Sequence, residues 1–110
     1  MMTDISKIDM ERINGLLDKL NSMKYVIESG SNDNGWYRKW SDGWIEQGGT
    51  RVAKNTWETI TFLKPFINTN YTALTSNSAG GTNANGIRNK TTTSMQIYQN
   101  WQYDWYACGY

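Results

Sequence analysis

Two kinds of apolar residue divide this chain. Up to residue 28 the apolar weight is Ile, Leu, Val and Met; beyond it aromatic residues take over. Of six Trp, seven Tyr and two Phe, only Tyr25 precedes residue 29, and the rest of the chain carries Ile, Leu or Val at just eight positions. An aliphatic stretch with few β-branched neighbours favours a helix, while aromatics set among Thr, Ser and Gly favour strands. The 110 residues are one domain's worth of chain. The expected organisation is a helical segment followed by a mainly β domain.

The helical period runs over residues 3–28. Ile13, Leu16, Leu20, Met23 and Ile27 step by three and four, which is the a/d seam of a coiled coil, and Leu17 widens it. Ile5 and Ile8 lie out of frame, so a stutter is expected at the start. Ser6 and Asp9 have capping-box spacing, and Ser29-Gly30 supplies a stop. Such a helix is about 39 Å long at about 1.5 Å per residue. Gly15 costs it about 1 kcal/mol against alanine. Lys19 would meet Lys24 of a parallel neighbour. The helix is therefore marginal alone, and its seam needs the downstream domain or further copies of the chain. The expectation is a three-chain coiled-coil stem over residues 1–29 and a β-structured domain over residues 30–110.

Residues 30–35 read as a polar hinge. After it, Trp36 to Trp40 and Trp44 to Gly49 flank Ser41-Asp42-Gly43, a hairpin signal with Gly43 suited to a left-handed position. Further strands are expected at residues 57–62, 71–75, 92–98 and 105–110, with Pro65 ending the first of these. Residues 76–90 read as a long polar loop. The fold class is mainly β: a small antiparallel sandwich, or an intertwined assembly in which copies share an aliphatic-poor interior.

Composition excludes several chemistries. There is no histidine, and Cys108 is the lone cysteine, so neither a disulfide within the chain nor a cysteine zinc site is expected. No metal or other cofactor is expected. A net charge of +1 with dispersed basic residues argues against nucleic acid. No apolar run of about 18 residues predicts membrane insertion, and no signal stretch opens the chain. Glu46 and Glu58 could face each other from neighbouring strands as a glycosidase pair. Asp42 and Asp33 are explained by turn and hinge, and no enzymatic activity is expected.

Four stretches carry a family resemblance. Tyr37-Arg38-Lys39-Trp40-Ser41-Asp42-Gly43-Trp44-Ile45-Glu46-Gln47-Gly48-Gly49 resembles the strand-turn-strand signature of bacteriophage tail-fibre carboxyl-terminal domains of the gp53-like type. Thr59-Ile60-Thr61-Phe62-Leu63-Lys64-Pro65-Phe66 resembles the next block, Asn70-Tyr71-Thr72-Ala73 the one after, and Trp105-Tyr106-Ala107-Cys108-Gly109-Tyr110 the closing strand. The resemblance spans residues 35–110. Fibres of this type usually carry long shafts upstream, where this chain has only the helical segment. The resemblance implies a homotrimeric tip at the distal end of a fibre. It further implies contact with a host-surface glycan or outer-surface protein, and association with other fibre or tail proteins. Such a protein belongs to the virion, is assembled in the host cytoplasm and is released by lysis. The alternative is a domain that only registers the trimer of a shaft; a glycan-degrading enzyme is the third reading.

Two segments suit glycan contact. Gln99, Asn100 and Gln102 offer amides beside Trp101 and Tyr103, which together could hydrogen-bond hydroxyls and stack on sugar faces. Trp101, Tyr103 and Trp105 share one face of an extended chain, and that face could equally be core. In the polar stretch, Asn83, Asn85 and Arg88 are candidates.

Overall fold

A computed structural model describes residues 3–77 and 85–110. One helix, α1 (Thr3–Ser22), precedes eight strands: β1 (Val26–Asn32), β2 (Gly35–Trp40), β3 (Ile45–Arg51), β4 (Glu58–Thr61), β5 (Thr72–Asn77), β6 (Asn85–Arg88), β7 (Ser94–Gln99) and β8 (Tyr103–Gly109). They form a five-stranded sheet ordered β1-β2-β3-β8-β5 and a three-stranded sheet ordered β4-β7-β6. Every pairing is antiparallel.

Strict alternation builds the interior. In β7, Met95, Ile97 and Gln99 point in while Ser94, Gln96 and Tyr98 point out. In β8, Tyr103, Trp105, Ala107 and Gly109 point in. With Ile45, Ile60, Phe62, Phe66 and Tyr71 they make one closed core, in which Ile60, Met95, Ile97 and Ala107 have no exposed surface. The connection after β4 supplies its aromatic centre: Phe66 stacks on Tyr71 at 4.4 Å, and Phe62 meets both edge-on. Gly109 makes this possible, since a Cβ there would stand 2.8 Å from Tyr71 Cβ. Of the two expected arrangements, a sandwich closed within one chain or an interior shared between copies, this core has the form of the first. Large aromatic rings compensate for the low aliphatic count, and a single chain buries its own core.

Gln47 is fully buried between β3 and this connection. Its Nε2 donates to the Lys64 carbonyl at 2.8 Å, and its Oε1 accepts from the Lys64 N–H at 3.3 Å. A buried amide satisfied on both sides fixes the returning chain to the sheet.

The hairpin at residues 41–43 forms as expected. Gly43 has φ 92°, its N–H donates to the Trp40 carbonyl, and Asp42 Oδ1 accepts from the Trp44 N–H. Three other expectations need correction. The helix ends at Ser22, not at residue 28; Met23 lies just past it and Ile27 belongs to β1. Tyr25-Val26-Ile27 is a strand-forming run, and pairing with β2 overrides the heptad spacing. The hinge at residues 30–35 is the end of β1, a turn at Asp33-Asn34 and the start of β2. Within the polar stretch 76–90, Ser76 and Asn77 extend β5 and Asn85–Arg88 form β6. Ile87, paired with Ile97, gives that short strand its inward residue. Residues 78–84 lie outside the described residues.

Met10, Ile13, Leu16, Leu17 and Leu20 are between 50% and 67% exposed, so α1 leaves its apolar stripe uncovered. Among the described residues the helix is tied to the sandwich through its exit: Ser41 donates its N–H to the Tyr25 carbonyl, Ser41 Oγ accepts from the Tyr25 N–H, and Lys24 pairs with Asp42 at 3.2 Å. The Asp42 carboxyl lies below its usual range, chiefly through the Trp44 N–H and then Lys24. Among the described residues, no helix is long and apolar enough to cross a membrane.

Candidate binding surface

Strand register sorts the loops into two ends. Val26 pairs with Trp40 and Ile45 with Gly109, so the helix exit, the β2–β3 turn and the end of β8 share one end. At the other end Asn77 pairs with Tyr103, Arg51 with Tyr103, and Asn85 with Gln99. The end away from α1 therefore gathers the β7–β8 turn, the end of β5, the start of β6, and the β1–β2 turn. Both segments singled out in the sequence, around residues 98–105 and 83–88, reach this far end through their described residues.

The segment 98–105 does not act as one surface. Trp101 is 53% exposed and Gln102 is exposed, with Asn100 half-buried. Tyr103 and Gln99, in contrast, are interior, at 2% and 1% exposure. Tyr103 Oη donates to Glu58 Oε2 at 2.7 Å, and burial, then this carboxylate, pushes the phenol pKa up. Gln99 donates to Thr75 Oγ1 and accepts from Asn77 Nδ2. These two residues hold the sheets together at the far end and are not open to a surface ligand. The alternation of Trp101, Tyr103 and Trp105 breaks because β8 begins only at Tyr103, leaving Trp101 in the turn. Asn85 opens β6, Arg88 closes it on the outer face, and Asn83 lies outside the described residues.

Beside the β7–β8 turn is a hollow of about 480 Å³ bounded by Asn32, Asp33, Thr50, Asp104 and Trp105. Thr50 Oγ1 donates to Asp104 Oδ1 at 2.5 Å. The Trp105 indole N–H, buried in its wall, has no hydrogen-bond partner among the described residues. A Cβ on Gly49 would stand 2.9 Å from that nitrogen and 2.8 Å from the Asn34 carbonyl, so only glycine lets the β1–β2 turn close over the indole.

The carboxylates considered for catalysis lie on opposite faces of the five-stranded sheet. On the outer face Glu46 accepts from Trp40 Nε1 and Tyr106 Oη, with Arg38 at 3.8 Å; burial, then Glu46, raises the Tyr106 phenol to about 12. On the inner side Glu58 accepts from Arg51 at 3.0 Å and from Tyr103. Sequence reasoning did not find a second aromatic group near the far end, on the outer face of the three-stranded sheet. There Trp57 lies 5.8 Å from Tyr98 and carries the Arg88 guanidinium at 4.0 Å. The outward position of Tyr98 between Ile97 and Gln99 was the available signal.

Comparison with solved structures bears on this arrangement. The chain is similar to a carboxyl-terminal fragment of the Pseudomonas aeruginosa R2 pyocin fibre, with a TM-score of 0.55 at 23% identity over 76% of this chain and 26% of that one. It is similar also to an amino-terminally truncated R2-type pyocin tail fibre, with the same score and identity over 78% of this chain and 39% of that one. The fold is one found in tail fibres. The chain spans well under half the length of either fragment. No protein-family model and no curated protein matches it.

Proposed function

We propose that this chain is the tip of a phage-type tail fibre that binds a host-surface glycan as a homotrimer. The observation carrying this reading is the tail-fibre fold. The uncovered stripe of α1 supports the trimer: a 20-residue helix is marginal in water without burial of its apolar face. Three parallel copies would bury that stripe and aim the far ends in one direction. A fibre meets its receptor at its free end, and the far end carries Trp101, Gln102 and the hollow beside Asp104. Sugar faces stack on exposed indoles while amides and carboxylates take the hydroxyls. The domain is a binding module without turnover.

Adsorption of the purified chain to host cells, competed by their isolated surface polysaccharide, tests the reading. Competition is expected, and Trp101→Ala should weaken adsorption without changing assembly. Adsorption abolished by protease treatment of the cells and untouched by polysaccharide would replace the glycan with a protein receptor. Release of reducing ends that vanishes with Glu58→Gln would make the domain an enzyme.

A further inference from the structure

The three-stranded sheet has an outer face built differently from the rest of the surface. Thr59, Thr61, Gln96, Tyr98 and Arg88 point outward from it, and Trp57 lies across Gly86, where a Cβ would stand 3.2 Å from the indole. None of these outward residues is an acid. Arg88 is held from two sides. Its guanidinium carbon stands 4.0 Å from the Trp57 ring centre, and its Nε donates to Gln96 Oε1 at 3.0 Å. That oxygen also accepts from Asn89 Nδ2 at 2.8 Å, and Gln96 Nε2 reaches Thr59 Oγ1 at 3.4 Å, so the amide that orients the arginine is itself oriented.

The other arginines of the β part are neutralised in place. Arg38, over Trp36 at 5.3 Å, has Glu46 beside it, and Arg51 is bonded to Glu58. Among the described residues Arg88 has no carboxylate partner, and its two terminal nitrogens make no hydrogen bond. A guanidinium fixed by its Nε edge and one ring face, with its terminal fork open, is prepared for a bidentate oxyanion. The pre-ordering removes part of the rotamer entropy that an arginine otherwise loses on binding.

We infer that this platform binds an anionic sugar unit of a surface polysaccharide. Arg88 takes the carboxylate or phosphate through Nη1 and Nη2, and the apolar face of the ring lies against Tyr98. The inference rests on the glycan-binding reading and names the chemistry of one unit of that glycan. It adds a charged subsite to the neutral stacking at Trp101.

The test is binding of the full chain to three immobilised polymers: a polyuronate, the same polymer with its carboxyls reduced to alcohols, and a phosphate-bearing mannan. Each is measured with the wild type, Arg88→Gln, Arg88→Lys and, as a control, Arg38→Gln. The expected result is preference for an anionic polymer over the reduced one, with the polyuronate and the mannan telling carboxylate from phosphate. Arg88→Gln should lose on the order of tenfold in affinity, Arg88→Lys should lose most of that despite keeping the charge, and Arg38→Gln should bind as wild type. Equal binding to charged and reduced polymers, no binding to either anionic polymer, or an Arg88→Gln protein of unchanged melting that binds as wild type overturns the inference. Host-cell adsorption measured in parallel separates the two levels. If Arg88→Gln adsorbs normally and Trp101→Ala does not, the subsite is wrong and the glycan-binding reading stands; if the wild type itself does not adsorb, the broader reading fails.

Discussion

The stem and the sandwich solve the same problem in opposite ways. Sandwich residues such as Ile60, Met95 and Ile97 are wholly buried within one chain, while Leu16, Leu17 and Leu20 of α1 stay more than half exposed. The aromatic-rich half is the self-sufficient one. An aromatic residue such as Phe66 or Trp105 buries about 150–250 Å², so few residues close a core of this size. The aliphatic half is left incomplete. A single amphipathic helix has no second layer to pack on, and in the proposed trimer its stripe would be covered by the other copies. On the proposed reading, residues 3–22 would serve assembly, while the β part folds by burying its own core.

The largest expected effect separates the two halves outright. Leu16→Asp with Leu20→Asp should leave single chains in sedimentation velocity, while the thermal transition of the β part stays in place. A lowered transition would mean that the sandwich depends on the assembled stem. Next, Phe66→Ala should destabilise the β part by about 3–5 kcal/mol in denaturant unfolding, by loss of the ring and the cavity left behind, with α1 assembly unaffected. Gln47→Leu should cost about 1–3 kcal/mol, because it leaves the Lys64 N–H and carbonyl unpaired inside. A neutral result would show that water replaces the clamp. The smallest effect concerns the joint between the halves. Asp42 and Glu28 both titrate below their ordinary values when folded, through the Trp44 N–H and Lys64 respectively. Their contribution is present above the usual carboxylate range and fades as pH falls through the lowered values. Mild acid should therefore lower the melting temperature slightly, and Asp42→Asn should reduce that slope.

Much of the sandwich was legible because alternation and turn chemistry are local. The Asp42-Gly43 hairpin and the strands around Ile60, Met95 and Trp105 follow from spacing alone. The Gln47-Gly48-Gly49 stretch stood out as a motif, and the structure supplies its reason: a backbone clamp and two positions where a side chain would strike Trp105 or Trp36. Other features depend on pairing partners far along the chain. Ile27 continued a heptad by spacing and joined β1 by pairing. Tyr103 and Gln99 looked like Trp101 in composition, yet alternation in β7 turned Gln99 inward and the start of β8 turned Tyr103 inward. Trp57 and Arg88 are 31 positions apart in the sequence, and only the β4-β7-β6 order brings them together.

The most direct test of the account is the mass of the intact chain in solution. Sedimentation equilibrium at micromolar concentration is expected to give three times the 12.7 kDa chain mass, with no change on adding polysaccharide. A stable species of one chain mass under the same conditions, with α1 still helical by circular dichroism, would contradict it, since the exposed stripe would then need no partner.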